Sequence, residues 1–138
     1  YLHSLLAGRN DLDGVQQTGR ARSINRARCV EAELDRVLAD PSTVAARVFA
    51  EYARLLRLRA GQPAFHPDAP QRVIDAGPAC FAVEREARDG QKLLAVSNCT
   101  ARAVEVSLPG SWTRDLVMGV AVSGSRLKLE PYQTAWLQ

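Results

Sequence analysis

Gly8-Arg9-Asn10-Asp11-Leu12-Asp13-Gly14-Val15 and, after Gln16-Gln17, Thr18-Gly19-Arg20-Ala21-Arg22-Ser23-Ile24-Asn25-Arg26 form the stretch on which the reading of this chain turns. It holds four arginines, an Asn-Asp pair and three glycines, and it follows a short apolar run from Tyr1 to Ala7. Arg presents a planar fork of donors suited to hydroxyls, carboxylates and phosphates. Asn and Asp accept from sugar hydroxyls or tie a loop to itself. Tyr1 to Leu6 reads as the end of a buried strand, with residues 8–23 as an Arg/Gly loop leaving it. The chain starts without Met, a signal-like segment or a helix-start signal, and is expected to be the end of a longer protein.

Working outward, Cys29, Val30, Leu34, Val37 and Leu38 fall at helical spacing and predict a helix over 24–39. Asp40-Pro41 then ends it and starts another, with Asp as N-cap and Pro at the first helical position. Val44, Val48, Tyr52, Leu55, Leu56 and Arg59 lie on one stripe of that second helix, Thr43–Arg59, with Phe49 at its edge. Arg54, Arg57 and Arg59 meet the negative end of its macrodipole, Gly61 closes it and Pro63 stops it. The stripe suits an outer helix packed on a sheet or barrel.

Beyond Ala64 the texture changes. Short β-rich runs are predicted at Arg72–Ala76, Ala79–Glu86, Lys92–Ser97, Ala103–Leu108, Leu116–Val122, Arg126–Leu129 and Tyr132–Leu137, with Asp89-Gly90 as a hairpin turn. They predict a small antiparallel sandwich or open barrel over 63–138. A unit of roughly 70 residues has a marginal core of its own and is expected to lean on another body, the amphipathic helix being the obvious surface.

The 138 residues are 46% hydrophobic and 24% charged, ordinary globular values, with a formal net charge of +3. No apolar run approaches the ~20 residues that span a bilayer. The basic excess is spread over the N-terminal half with no continuous stripe or stacking aromatics, so neither nucleic acid nor membrane is an expected partner. Cys29, Cys80 and Cys99 show no metal-ligand spacing and read as reduced, mostly buried thiols of a cytoplasmic protein. His3 and His66 stand alone, and Asn98-Cys99-Thr100 matches the glycosylation pattern by chance. No metal or cofactor is expected.

No G-x-S-x-G elbow, Ser/His/Asp set, HExxH or P-loop is present. Asp11 and Asp13 share one loop and read as turn formers rather than a glycosidase carboxylate pair. Arg9 is expected to be solvated and Arg26 to pair with a carboxylate. Arg20 and Arg22, next to Gly19 and Ala21, have small neighbours that let a ligand approach. From spacing alone, ligand contact and a solvated surface remain open for both.

Tyr1-Leu2-His3-Ser4-Leu5-Leu6-Ala7-Gly8-Arg9-Asn10-Asp11, the ungapped spacing to Arg22-Ser23-Ile24-Asn25-Arg26, and Leu129-Glu130-Pro131-Tyr132 with Trp136-Leu137 resemble the C-terminal end of sucrose phosphorylase-type enzymes of glycoside hydrolase family thirteen. The resemblance runs over the whole chain, strongly from 1 to 66. It implies an α+β fragment: the last strand, substrate loop and two helices of a (β/α)8 barrel over 1–62, then an antiparallel β-domain over 63–138. It further implies retaining phosphorolysis of an α-glucoside by phosphate, with the nucleophile, the acid/base and the main phosphate-binding positions upstream, so no catalytic residue falls here. Arg22 takes the position of the family arginine that hydrogen-bonds the glucosyl unit, with Asn10 and Asp11 in the same loop. Arg20 stands where sucrose phosphorylases carry a smaller polar residue. Together with the wording around His3–Leu6 and Thr18–Ser23, this resembles the branch acting on glucosylglycerate or glucosylglycerol, and an extra Arg suits a glycerate carboxylate. The rival expectation is a noncatalytic module, with Trp112 as a sugar-stacking platform and Trp136 in the core.

Overall fold

The computed structural model describes residues 2–138. The chain divides into two compact units, Tyr1–Leu56 and Arg57–Gln138.

The regular elements of the first unit are all helical among the described residues. Leu2–Leu5 is a single helical turn, α1, and not the strand expected of Tyr1–Leu6; Tyr1 itself lies outside the described residues. The N–H of Leu6 donates to Leu2 O (3.2 Å) and that of Gly8 to His3 O (2.7 Å), while Ala7 takes the left-handed conformation that closes a helix C-terminus. Leu and Ala favour a helix, and with no strand beside it in this unit the segment satisfies its amides locally. A second helix, α2, spans Leu12–Thr18, followed by a 3-10 turn at Ala21–Asn25. The residues expected as an open loop are therefore mostly helical.

The helix expected over 24–39 is shorter and later, α3 at Glu31–Ala39. The Arg26 N–H bonds back three residues to Ser23 O (3.0 Å), which tightens the chain into a 3-10 turn. Glu31 and Glu33 then supply negative charge where the macrodipole favours it. Helix α4 spans Val44–Ala60 and is capped by Thr43, not by Asp40: Thr43 Oγ1 accepts the N–H of Ala46 at 3.2 Å. Asp40 instead accepts the Ser42 N–H at 2.9 Å, and these Ser42 contacts hold its carboxyl below the ordinary value. Arg54 pairs with Glu51 one turn earlier, Nε to Oε2 at 2.8 Å.

The second unit begins in the last turn of α4, where Gly61 closes the helix as expected with its N–H on Arg57 O. Strands β1 (Gln71–Ile74), β2 (Cys80–Glu86), β3 (Lys92–Asn98), β8 (Thr134–Leu137), β5 (Arg114–Asp115) and β6 (Val120–Ala121) form one antiparallel sheet in the order β1-β2-β3-β8-β5-β6. Strands β4 (Val104–Ser107) and β7 (Arg126–Leu129) form a second. Asp89-Gly90 makes the β2–β3 turn, with Gly90 at φ 85°, a backbone open to glycine without strain.

Leu94, Val96, Ala135 and Leu137 of the large sheet meet Val106 and Leu129 of the small one, together with Leu108 and Trp112. This buried layer between two antiparallel sheets is the expected sandwich. On the opposite face of the large sheet, Leu93 lies under Ala64 and Phe65, with Trp136 and Leu116 alongside. Arg85 fastens that cover: its guanidinium donates to the carbonyls of Ala64 (2.8 Å), His66 (2.7 Å) and Ala69 (3.1 Å).

The run expected as one strand over 116–122 is a reversal. Asp115 Oδ1 accepts the Val117 N–H (2.9 Å) and Gly119 donates to Asp115 O (2.8 Å), so the chain turns back at 116–119. Likewise Tyr132, at φ 57°, belongs to the turn before β8 rather than to the strand. Asp115 is 3% exposed, and its Oδ1 also accepts the Trp136 N–H at 3.1 Å, tying β5 to β8. Replacing it by Ala leaves two part-buried donors without their acceptor, so D115A should lose about 1–3 kcal/mol in urea unfolding. D115N, which keeps the oxygen, should lose less than half of that.

Candidate functional site

Residues 11–24 fold on themselves. The Asp11 N–H donates to Ile24 O at 2.7 Å, closing the segment end to end. The Asp11 side chain caps α2, its Oδ1 accepting the Gly14 N–H at 2.8 Å. Thr18 Oγ1 donates to Gly14 O (2.6 Å), lies 2.8 Å from Ser23 Oγ and accepts the Arg20 N–H (3.3 Å). Gly19, left-handed at φ 64°, ends α2 with its N–H on Val15 O. A non-glycine residue would be strained there, and the turn is what delivers Arg20 and Arg22 to the following 3-10 segment.

Against this brace the four predicted site residues separate. Asp11 is half-buried, with its Oδ1 engaged in the cap of α2. Asn10, Arg20 and Arg22 are exposed, and none of their side chains has a hydrogen-bond or ion-pair partner among the described residues. Both guanidiniums are therefore unengaged among the described residues, on a segment held by its own bonds. Arg9 is exposed as expected, whereas Arg26 makes no carboxylate pair among the described residues. The Thr18–Ser23 brace was not anticipated, although Thr-Gly and Ser at that spacing are the residues that tie turns.

The β-rich unit decides other expectations. Trp112 is 8% exposed within the core, its indole Nε1–H donating to Pro109 O at 2.6 Å, so it offers no stacking platform. Trp136 packs edge-on against Phe65, as a core residue. Asn98 is 2% exposed; its Nδ2 donates to Arg102 O and Glu130 O while its Oδ1 accepts from Thr100, so the carboxamide that the glycosylation pattern requires is locked inside the fold. The thiols are less buried than expected: Cys29 and Cys99 are exposed and Cys80 half-buried, with burial, then the neighbouring Cys99, pushing the Cys80 thiol up from its ordinary value. No group of three or more metal-ligating side chains occurs among the described residues, and no helix is long and apolar enough to cross a membrane.

Residues 76–137 match the family described as the C-terminal immunoglobulin-like domain of D-apionate lactonase. Glucosylglycerate phosphorylase of Allomeiothermus silvanus is 38% identical over 137 residues, 99% of this chain and 23% of that protein. Glucosylglycerate phosphorylase of Escherichia coli K12 is 31% identical over 138 residues, 100% of this chain and 25% of that protein. The chain belongs to the sucrose phosphorylase-type enzymes of glycoside hydrolase family thirteen, as a C-terminal part. It spans about a quarter of the length of these phosphorylases. Among solved family-thirteen structures, trehalulose synthase MutB from Pseudomonas mesoacidophila MX-45 superposes with a TM-score of 0.60 at 25% identity, over 75% of this chain and 19% of that one. AmyP, solved with maltose, gives 0.58 at 20% identity over 67% and 20%, a likeness of fold alone.

In this family segment Gly14 is fixed by its neighbour. A Cβ there would fall 2.7 Å from Asp11 Cγ. Gly→Ala inside a helix ordinarily gains about 0.5–1 kcal/mol. Here G14A should displace the capping carboxylate and cost about 1 kcal/mol instead. Hydrogen exchange should show faster exchange at residue 14, and D11A/G14A should recover the helix-propensity gain that the single variant forfeits.

Proposed function

We propose that this chain is the C-terminal segment of a cytoplasmic retaining glucoside phosphorylase that converts an α-glucoside, glucosylglycerate in the first instance, and phosphate to α-glucose 1-phosphate. Residues 1–62 complete a (β/α)8 catalytic barrel and residues 63–138 form the β-domain that follows it. The supporting observation is similarity to glucosylglycerate phosphorylases along essentially the whole chain. It is joined by two unengaged guanidiniums on a self-braced segment.

In this reading phosphorolysis runs by double displacement. A carboxylate outside these residues attacks the anomeric carbon, the acceptor leaves, and phosphate captures the glucosyl-enzyme. The chain supplies no catalytic carboxylate, metal or cofactor. Arg22 donates two fixed hydrogen bonds to hydroxyls of the glucosyl unit, holding the ring while the anomeric centre reacts. Arg20 pairs with the carboxylate of a glycerate acceptor. Asn10 adds a carboxamide at the same rim, and Asp11 sets the backbone beneath them. The competing module reading loses its anchor with Trp112 inside the core.

The test is kinetic, in the full-length enzyme. A lost charged hydrogen bond is worth about 1.5–3 kcal/mol, so Arg22→Ala should lower kcat/KM for phosphorolysis roughly 10- to 100-fold, with the circular dichroism spectrum unchanged. Arg22→Lys should recover little, because a point charge does not replace a fork. Arg20→Ala should erode the preference for glycerate over glycerol in the reverse direction. Wild-type kcat/KM in Arg22→Ala, or unaltered acceptor discrimination in Arg20→Ala, would overturn the respective assignment.

A further inference from the structure

The inward face of the large sheet changes character along its strands. On β1 the inward positions pass from Ile74 to Arg72, on β2 from Ala82 to Glu84 and Glu86, and on β3 from Leu94 to Lys92. Register places Arg72 beside Glu84 and Glu86 beside Lys92, so the apolar core gives way to a ladder of charges. The 109–112 loop lies against Arg72, Glu84 and Lys92, leaving a cleft of about 600 Å3. One wall is rigid, because the buried Trp112 indole is pinned to Pro109 O.

The ladder is under-used as a set of ion pairs. Arg72 Nη2 donates to Glu84 Oε1 at 2.9 Å, which occupies one donor of the guanidinium and one carboxylate oxygen. The remaining donors of Arg72, the second oxygen of Glu84 and the Ser111 hydroxyl have no partner among the described residues. Lys92 Nζ stands 3.6 Å from Glu86 Oε2. The Glu84 side chain as a whole is only 19% exposed, although it carries a charge.

Opposite charges balance along the ladder, so the cleft selects neither anion nor cation. It offers adjacent strong donors and acceptors against a fixed wall. Vicinal hydroxyls complement that arrangement: one donates to the carboxylate while the other accepts from the guanidinium. We propose that this cleft binds a neutral saccharide through a vicinal hydroxyl pair bridged between Arg72 and Glu84. The proposal stands on the β-rich unit alone and does not depend on the role given to Arg22.

Ligand-observed NMR titration of the full-length protein with maltotriose tests it, in saturating α-glucose 1-phosphate to occupy the site proposed at Arg22. Saturable binding with Kd of order millimolar is expected. Arg72→Met and Glu84→Gln should each weaken it about tenfold, and Arg22→Ala should leave it unchanged. Arg72 is exposed, so Arg72→Met keeps the fold even if Glu84→Gln does not. No saturable binding, binding indifferent to Arg72→Met, or binding abolished by Arg22→Ala would overturn the proposal. Loss of activity in Arg22→Ala with maltotriose binding intact separates the two readings.

Discussion

Strand β3 is buried on both faces, and the second unit is arranged around that constraint. Leu93 and Leu94 are adjacent in sequence, point to opposite sides, and are 0% and 1% exposed. Each fully buried leucine contributes about 1.5–3 kcal/mol, which is gained only if both sides are covered at once. The small β4–β7 sheet with Trp112 covers one side; the 63–65 turn, with Trp136 and Leu116, covers the other. The second cover is too short to hold by area alone, and polar clamps fix it. Arg85 binds the carbonyl of Ala64 in that turn and those of His66 and Ala69 just after it, the Gln91 side chain accepts the Ala64 N–H at 3.0 Å, and the Arg59 guanidinium lies 4.6 Å over the Phe65 ring.

Much of this was legible in the sequence, because two-residue periodicity and turn chemistry are local properties. Val104, Val106 and Leu108 alternate with polar residues, and the structure puts Val106 and Leu108 in the core. Asp89-Gly90 announced its hairpin. Two of the misses share a cause, namely side chains competing with the backbone for hydrogen bonds. Asp115 turns an apparent strand into a reversal and Thr43 takes the cap expected of Asp40, whereas the third, the late start of α3, goes with a backbone 3-10 bond from the Arg26 N–H to Ser23 O. Hydrophobic spacing is blind to all three. The Tyr1–Leu6 expectation failed differently: a strand requires a neighbour, and a short apolar run carries no sign of one.

The candidate site was legible as composition and not as architecture. Dense arginine among glycines marked residues 8–26, and resemblance to a family singled out Arg22. That Asp11 serves as cap and Thr18 as brace follows from local bonding rather than from any motif. The charged ladder of Arg72, Glu84, Lys92 and Glu86 passed unnoticed, although each residue holds an inward position in its strand. Its signal was a break in the apolar pattern at matched register across three strands, visible only once the pairing is known.

The two arginine settings differ in how firmly they are held. Arg20 and Arg22 ride on a segment braced by backbone and hydroxyl bonds, with no fully buried residue between Gly8 and Asn25. Exposed hydrogen bonds without apolar burial open at low free-energy cost, so this segment is the less firmly held of the two. Arg72 projects from β1, which is paired along its length with β2, and its partner carboxylate on β2 is held by the same ladder of backbone bonds. On the function proposed above, the first arrangement suits a group that settles onto its substrate late in binding. The second suits a surface that meets its ligand already formed, where little ordering cost is left at the moment of contact.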